Sequence, residues 1–285
     1  MKIGAVMFFT AQSMRPAPLA EALEARGFES LWVPEHTHIP SSRSSAYPAA
    51  GGLVQAYYEL MDPFLVLSSA AQATRSLKVG TGIALVIQRD PIVTAKLVST
   101  IDQLSAGRFL FGVGNGWNQD EIENHGTAFK TRHKLARERI EAMKAIWTED
   151  EPEYHGEFVD FGPSWSWPKP VQQPRVRTLV GGGAHASVLT AVVASADGWI
   201  PIGGGGLSEA LPRLHALAEK AGRDPAELDI VPFGTIADQA KLEHYCRLGV
   251  DEVVLRVRAG TEDDVLAQLD ALAPLVPFAA TLEQP

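Results

Sequence analysis

LKVGTGIALVIQRDPIVTAKLVSTIDQLSAGRFLFGVGNGWN, residues 77–118, decides the fold. Residues 78–85 are β-branched and apolar with glycines among them, and residues 108–113 repeat that composition, so both read as strands. Between them, residues 91–104 space their apolar side chains along one helical face. A strand, a crossover helix and a second strand of this length make a parallel βαβ unit. Both strands run into glycine-bearing loops at the same edge, the edge where parallel α/β folds bind ligands.

Working outward, strand and helix signals alternate along almost the whole chain. Residues 2–9 read as a strand, 16–26 as a helix stopped by Gly27, and 30–33 as the second strand. A long loop of Ser, Pro, Gly and Tyr covers residues 34–60, and Asp62 with Pro63 opens a helix over 62–75. Beyond the βαβ unit come a polar loop at 115–131 and an amphipathic helix at 133–149, with Leu135, Ile140, Met143, Ile146 and Trp147 on its apolar face. Residues 151–175 are irregular but carry Trp165 and Trp167, which suits a folded excursion better than a linker. Strands at 177–181, 198–202, 228–232 and 252–257 alternate with helices at 184–194, 207–221, 238–248 and 261–273. Eight strands and eight helices predict a single-domain (β/α)8 TIM barrel over residues 1–285, with insertion loops at its C-terminal face. An open doubly wound sheet is the alternative. Against it, residues 8–13 after the first strand hold no glycine and so no dinucleotide fingerprint.

Composition narrows the function. The chain of 285 residues is 46% hydrophobic and 21% charged, an ordinary globular balance. It has no apolar run of about 18 residues that would span a membrane, and its N-terminus reads as a buried strand rather than a signal peptide. The single cysteine, Cys246, excludes an intramolecular disulfide and fits a cytoplasmic location. A net charge of −9 argues against nucleic acid as a partner, while backbone amides remain able to bind a small anion.

In a barrel the site is built from the loops after the strands. These bring Phe9 and Thr10, then Glu35, His36, Thr37 and His38, then Thr81, Gly82 and Ile83, then Gly114, Asn115, Gly116 and Trp117, then Gly181, Gly182 and Gly183, and finally Gly203 to Gly206. Any one glycine cluster reads most simply as a tight turn. Four glycines in succession, 203–206, carry an entropic cost that a closely approaching ligand would explain, and Gly181, Gly182 and Gly183 lead straight into a helix. Together they suggest a phosphate-bearing cofactor. His36 suits a general acid/base or a ring hydrogen-bonding role, or else it ties down the long loop; His38 and His125 are weaker candidates. Trp117 is either a cap on the barrel or an aromatic wall for a flat ligand. His36 and His38 lack metal-ligand spacing, no GxSxG elbow occurs, and Cys246 has no catalytic partner, so neither a metal nor a covalent nucleophile is expected.

GFESLWVPEH at 27–36, the run at 90–118 and PKPVQQP at 168–174 resemble the luciferase-like superfamily, and within it the coenzyme F420 (deazaflavin)-dependent oxidoreductases. The resemblance spans residues 1–260. It implies a barrel, often dimeric, that holds the deazaflavin, or alternatively FMN, at its carboxyl face. It further implies a non-prolyl cis peptide at Gly82–Ile83 behind the ring, and His36, with Glu35 beside it, at the catalytic position. The phosphate would lie on Gly181, Gly182 and Gly183, with Gly203 and Gly204 following; Phe8, Thr81, Asn115, Gly116 and Trp117 complete the expected cofactor contacts. Sugar-phosphate dehydrogenases of the superfamily carry a glutamate where this chain has Trp117 and a tryptophan where it has Pro40, so that activity is not implied. What remains is hydride transfer between the deazaflavin and an organic substrate. The alternatives are an FMN monooxygenase served by a partner reductase and a non-catalytic cofactor-binding barrel. Tyr47, Tyr57, Tyr58, Trp165 and Trp167 in the irregular loops point to an apolar or aromatic substrate.

Overall fold

The computed structural model describes residues 1–42, 44–47, 52–236 and 238–283. In chain order the elements are β1 (Lys2–Val6), α1 (Pro16–Ala25), β2 (Ser30–Val33), α2 (Pro63–Ala73), β3 (Lys78–Thr81), α3 (Pro91–Leu104) and β4 (Phe109–Val113). Then follow α4 (Gln119–Asn124), α5 (Arg132–Thr148), β5 (Tyr154–His155), β6 (Asp160–Phe161), β7 (Thr178–Gly181), α6 (Ala186–Ser195), β8 (Gly198–Ile200) and α7 (Leu207–Lys220). The last are β9 (Asp229–Ile230), β10 (Phe233–Thr235), α8 (Gln239–Arg247), β11 (Glu252–Arg256), α9 (Glu262–Leu272) and α10 (Leu275–Thr281).

Two Asp-Pro pairs set the helices that flank the central βαβ unit. Asp62 accepts the amides of Phe64 and Leu65 at the start of α2, and Asp90 accepts that of Val93 at the start of α3. In each, proline fills the first helical position, where an N–H would have no partner. At the far end of α2, the Arg108 guanidinium donates to the carbonyls of Ala71 and Thr74, acceptors the helix end leaves open, and to that of Leu77 just before β3.

Among the described residues, nine strands form one sheet in the order β10-β11-β1-β2-β3-β4-β7-β8-β9. Its paired neighbours all run parallel. The terminal strands of that order, β9 and β10, are separated in sequence only by Val231 and Pro232, so the sheet curls round. Around this point the Val231 amide donates to the Trp199 carbonyl at 3.0 Å, Phe233 to Pro201 at 3.0 Å, and Val254 to Pro232 at 2.9 Å. A parallel bridge links Ile202 to Phe233.

The single strand expected at 228–232 is therefore corrected to two short ones. Pro232 has no N–H for the ladder, and the pairing register shifts between Phe233 and Thr235. Further elements were not anticipated, among them α10, which follows α9 beyond the last expected helix. Asn118 accepts the Glu121 amide and starts α4 inside the expected polar loop, and β5 pairs antiparallel with β6 inside the irregular stretch.

Side chains inside the curl form a small cluster of Val6, Trp32, Leu179, Ile200, Val231, Phe233 and Val254, while a larger one fills the layer between sheet and helices. Glu252 lies on the inner face at the base, bonded to the Ser30 hydroxyl and to Trp32 Nε1 at 3.3 Å. Burial pushes its carboxyl up from the ordinary value. Among the described residues no helix is long and apolar enough to cross a membrane.

Candidate active site

The carboxyl end of β2 carries two consecutive acid/base side chains that the backbone sends in different directions. Glu35 is buried, 3% exposed. Its Oε2 accepts the Leu85 amide at 2.6 Å and its Oε1 accepts Arg89 Nε at 2.6 Å. Arg89 also donates to Asp62 Oδ2 at 2.7 Å and lies over the Phe64 ring. Both oxygens of Glu35 are thus engaged in clasping the segment that follows β3. His36 faces the mouth, its Nδ1 lying 2.6 Å from Oε2 of Glu121. Glu121 is 1% exposed, and its other oxygen accepts the Thr37 amide at 3.3 Å. With Nδ1 engaged by Glu121, Nε2 is the ring nitrogen left to act in the mouth, accepting when the imidazole is neutral there and donating when it carries a proton.

The peptide between Gly82 and Ile83 is cis. It sets Ile83 over the inner faces of β4 and β7, where glycines make the room. A Cβ on Gly114 would lie 1.7 Å from Ile83 Cδ1, and one on Gly181 would lie 2.6 Å from Cγ2. On the opposite side a Cβ on Gly82 would meet Phe233 Cζ at 2.3 Å. The mouth therefore has an apolar floor of Ile83 and Phe233. Thr81 is fully buried and donates its hydroxyl to the Gly112 carbonyl at 2.7 Å, which commits it to holding β3 against β4.

Aromatic rings wall this floor. Phe8 meets Tyr57 edge-on at 4.9 Å, Tyr57 lies 5.3 Å from His36 and 5.2 Å from Tyr47, and Trp117 lies 5.8 Å from His36 and 5.4 Å from Tyr47. The Tyr47 and Tyr57 hydroxyls are 2.6 Å apart. Burial, and then that hydrogen bond, push the Tyr57 hydroxyl well above its ordinary value.

Asn115 and Gly116 follow β4, and Asn115 Nδ2 lies 2.7 Å from His133 Nδ1. Burial, with Arg132 nearby, pushes the His133 imidazole down. Beside them a cavity of about 380 Å³ opens between α5 and α6, lined by Asn115, His133, Lys134, Arg137, Ser187 and Thr190 among others. Most of its wall is apolar, from Val113, Ala136, Ile140, Val180, Ala191 and Ala194, and its two permanent cations are paired, Lys134 with Glu157 and Arg137 with Glu141.

The expected phosphate loops are placed differently from one another. Gly181 ends β7 beneath Ile83, and the Gly182 amide is committed to the Ile200 carbonyl at 3.1 Å. Gly183 is exposed, and α6 begins three residues later at Ala186. Gly203 and Gly204 have φ of +73° and +65°, and their amides donate to the Phe233 and Pro201 carbonyls. A Cβ on Gly204 would lie 2.1 Å from the Tyr245 hydroxyl. The turn itself accounts for both glycines. His38 and His125 flank the Thr37 hydroxyl, at 3.0 Å and 2.7 Å. Among the described residues no cluster of three or more His, Cys, Asp or Glu could hold a metal.

The structure thus brings Phe8, His36, Gly82, Ile83, Asn115, Trp117 and Gly181 to one end of the sheet. It adds Glu121 and the cavity side chains, which the sequence reading missed. Glu121 had a local signal, Asn118 followed three residues later by a glutamate, but that spacing speaks only of a helix cap.

A family model described as luciferase-like monooxygenase matches residues 12–245. The chain belongs to the luciferase-like monooxygenase family. This luciferase-like protein is 39% identical over 281 residues to an uncharacterized protein of Mycobacterium tuberculosis, covering 96% of this chain and 98% of that one. Among solved structures it is similar to a monooxygenase from Streptomyces bottropensis, with 20% identity, a TM-score of 0.78, and 98% and 99% of the two chains covered. It is equally similar to an F420-dependent secondary alcohol dehydrogenase in complex with an F420-acetone adduct, with 17% identity, a TM-score of 0.78 and 98% of each chain covered. These two likenesses show a shared fold.

Proposed function

We propose that this luciferase-like protein is an oxidoreductase that moves a hydride between the deazaflavin F420 and an organic substrate at the mouth of a closed (β/α)8 barrel. The observation that carries this reading is the pairing of a flat apolar floor, Ile83 over Gly114 and Gly181, with an imidazole held edgewise by a buried carboxylate. A planar tricyclic ring fits such a floor, and when bound it supplies the redox chemistry. His36 presents Nε2 to a ring or substrate oxygen and holds or passes a proton there, while Glu121 fixes its orientation. Trp117, Tyr57 and Phe8 keep water from the reacting face. Asn115, His133, Arg137, Ser187 and Thr190 would receive the phosphorylated tail, and Glu35 serves to position the segment after β3.

Titration of the purified protein with F420 and with FMN, read by cofactor fluorescence, tests the reading. F420 is expected to bind, and His36→Ala to weaken it about tenfold, as loss of one hydrogen bond worth about 1.4 kcal/mol would. Negligible F420 binding would remove the proposal. Binding of FMN alone, with oxygen consumed from its reduced form, would favour a two-component monooxygenase fed by a reductase, a reading that the likeness to a solved monooxygenase keeps in view.

We also propose a homodimer formed through α2 and α3, where Leu65, Ile92 and Val93 are 73%, 46% and 59% exposed. Sedimentation equilibrium should give twice the chain mass of 30.7 kDa, and a monomer at micromolar concentration would contradict it.

A further inference from the structure

The register of β11 turns alternate side chains onto the inner face of the sheet. Glu252 reaches Ser30 at the base, and Val254 packs in the inner cluster with Val6, Trp32 and Phe233. Two residues on, Arg256 is the third inward position, at the rim where β11 ends. A Cβ on Gly234 would lie 3.5 Å from its Nη2, so the guanidinium lies over β10. In register Arg256 lies beside Val6 of β1, two residues before Phe8, whose ring meets Tyr57 edge-on at 4.9 Å.

Arg256 is exposed, and among the described residues no carboxylate pairs with it. The acids near the mouth are already committed, Glu35 to Arg89 and Glu121 to His36. An inward-facing cation without a counter-ion is notable in a chain of net charge −9. A guanidinium at such a rim offers a planar fork of donors that matches a carboxylate. Phe8, two residues beyond the strand position paired with Arg256, and Tyr57 against it supply apolar surface on that side.

From this geometry we infer that Arg256 is the anion-recognition residue of the substrate subsite, and that the substrate is an organic acid. Its carboxylate meets Arg256, and its apolar or aromatic body lies against Phe8, Tyr57 and Trp117. The inference rests on the mouth being the reaction site, as proposed above, and adds the substrate class.

Binding rather than turnover tests it. Benzoate, phenylacetate and cinnamate are each titrated calorimetrically against their own carboxamides, using wild type, Arg256→Met, Arg256→Gln and Arg256→Lys, with and without F420. At least one acid should bind wild type tenfold or more tightly than its amide. That preference should vanish in the Met and Gln variants and partly persist in the Lys variant, with F420 affinity changed less than twofold throughout. Two neutral variants guard against one failing to fold, and circular dichroism checks each. The inference is overturned if no acid is preferred by wild type, or if the neutral variants keep the preference. It is equally overturned if they lose F420 instead, which would assign Arg256 to the cofactor. Failure of the underlying functional reading looks different: neither F420 nor FMN binds wild type at all, whatever the acids do.

Discussion

Glu35→Ala should lower the unfolding free energy by about 3 kcal/mol, measured from the urea midpoint at constant m-value. Removing one partner of a buried ion pair costs about 3–5 kcal/mol, because the remaining charge stays desolvated. The lower figure applies here because Arg89 keeps Asp62 at 2.7 Å. The Leu85 amide, which donates to Glu35 at 2.6 Å, would also lose its acceptor. Glu35→Gln keeps an acceptor for that amide and should cost less than the alanine. The alternative is a catalytic Glu35, as its place beside His36 in the sequence first suggests. A Glu35→Ala protein of wild-type stability that binds F420 normally yet turns nothing over would establish that role.

Gly112→Ala should be at least as damaging to the fold. A Cβ there would lie 2.0 Å from the Thr81 carbonyl oxygen and 2.9 Å from Ile200 Cδ1. The first neighbour is backbone and has no rotamer into which it can retreat. β3 would have to move off β4, breaking the Thr81 hydroxyl bond to the Gly112 carbonyl and the Ala84 amide bond to the same oxygen. Overpacking commonly costs about 1–3 kcal/mol, and a clash of this depth with main chain should reach or exceed the upper value. A variant within about 0.5 kcal/mol of wild type would show that the two strands are less tightly apposed than the structure has them. Gly114→Ala offers a contrast. Its obstacle is the tip of Ile83, a side chain that can rotate, so it should disturb the floor of the mouth more than the fold.

Much of this architecture is legible in the residues because its determinants are local. The two Asp-Pro pairs announce α2 and α3, and the central strands declare themselves by β-branched runs ending in glycine. Their pairing follows from the parallel βαβ rule. The seventh strand is harder: Pro232 is visible in the sequence, but only pairing to β8 on one side and β11 on the other shows how it divides the strand. The site divides along the same line. His36 and Trp117 are placed by the strands they follow. Glu121, 85 positions from His36, meets it only because α4 folds back over the mouth. Arg256 becomes an inward-facing side chain only once the register of β11 is known. Gly203 and Gly204 show the opposite difficulty, since a left-handed turn with Gly204 under the Tyr245 hydroxyl itself calls for glycine, so the glycine run does not by itself point to a ligand.

The central claim is that a planar redox ring lies on Ile83 with its edge at His36. A crystal structure of the protein saturated with F420 tests it most directly. The account predicts the ring stacked over Ile83, an oxygen or nitrogen of the ring or of a bound substrate within hydrogen-bond distance of His36 Nε2, and the phosphate in the cavity between α5 and α6. A ring bound elsewhere on the molecule, or a saturated crystal with that mouth still filled by Tyr47 and Tyr57, would contradict it.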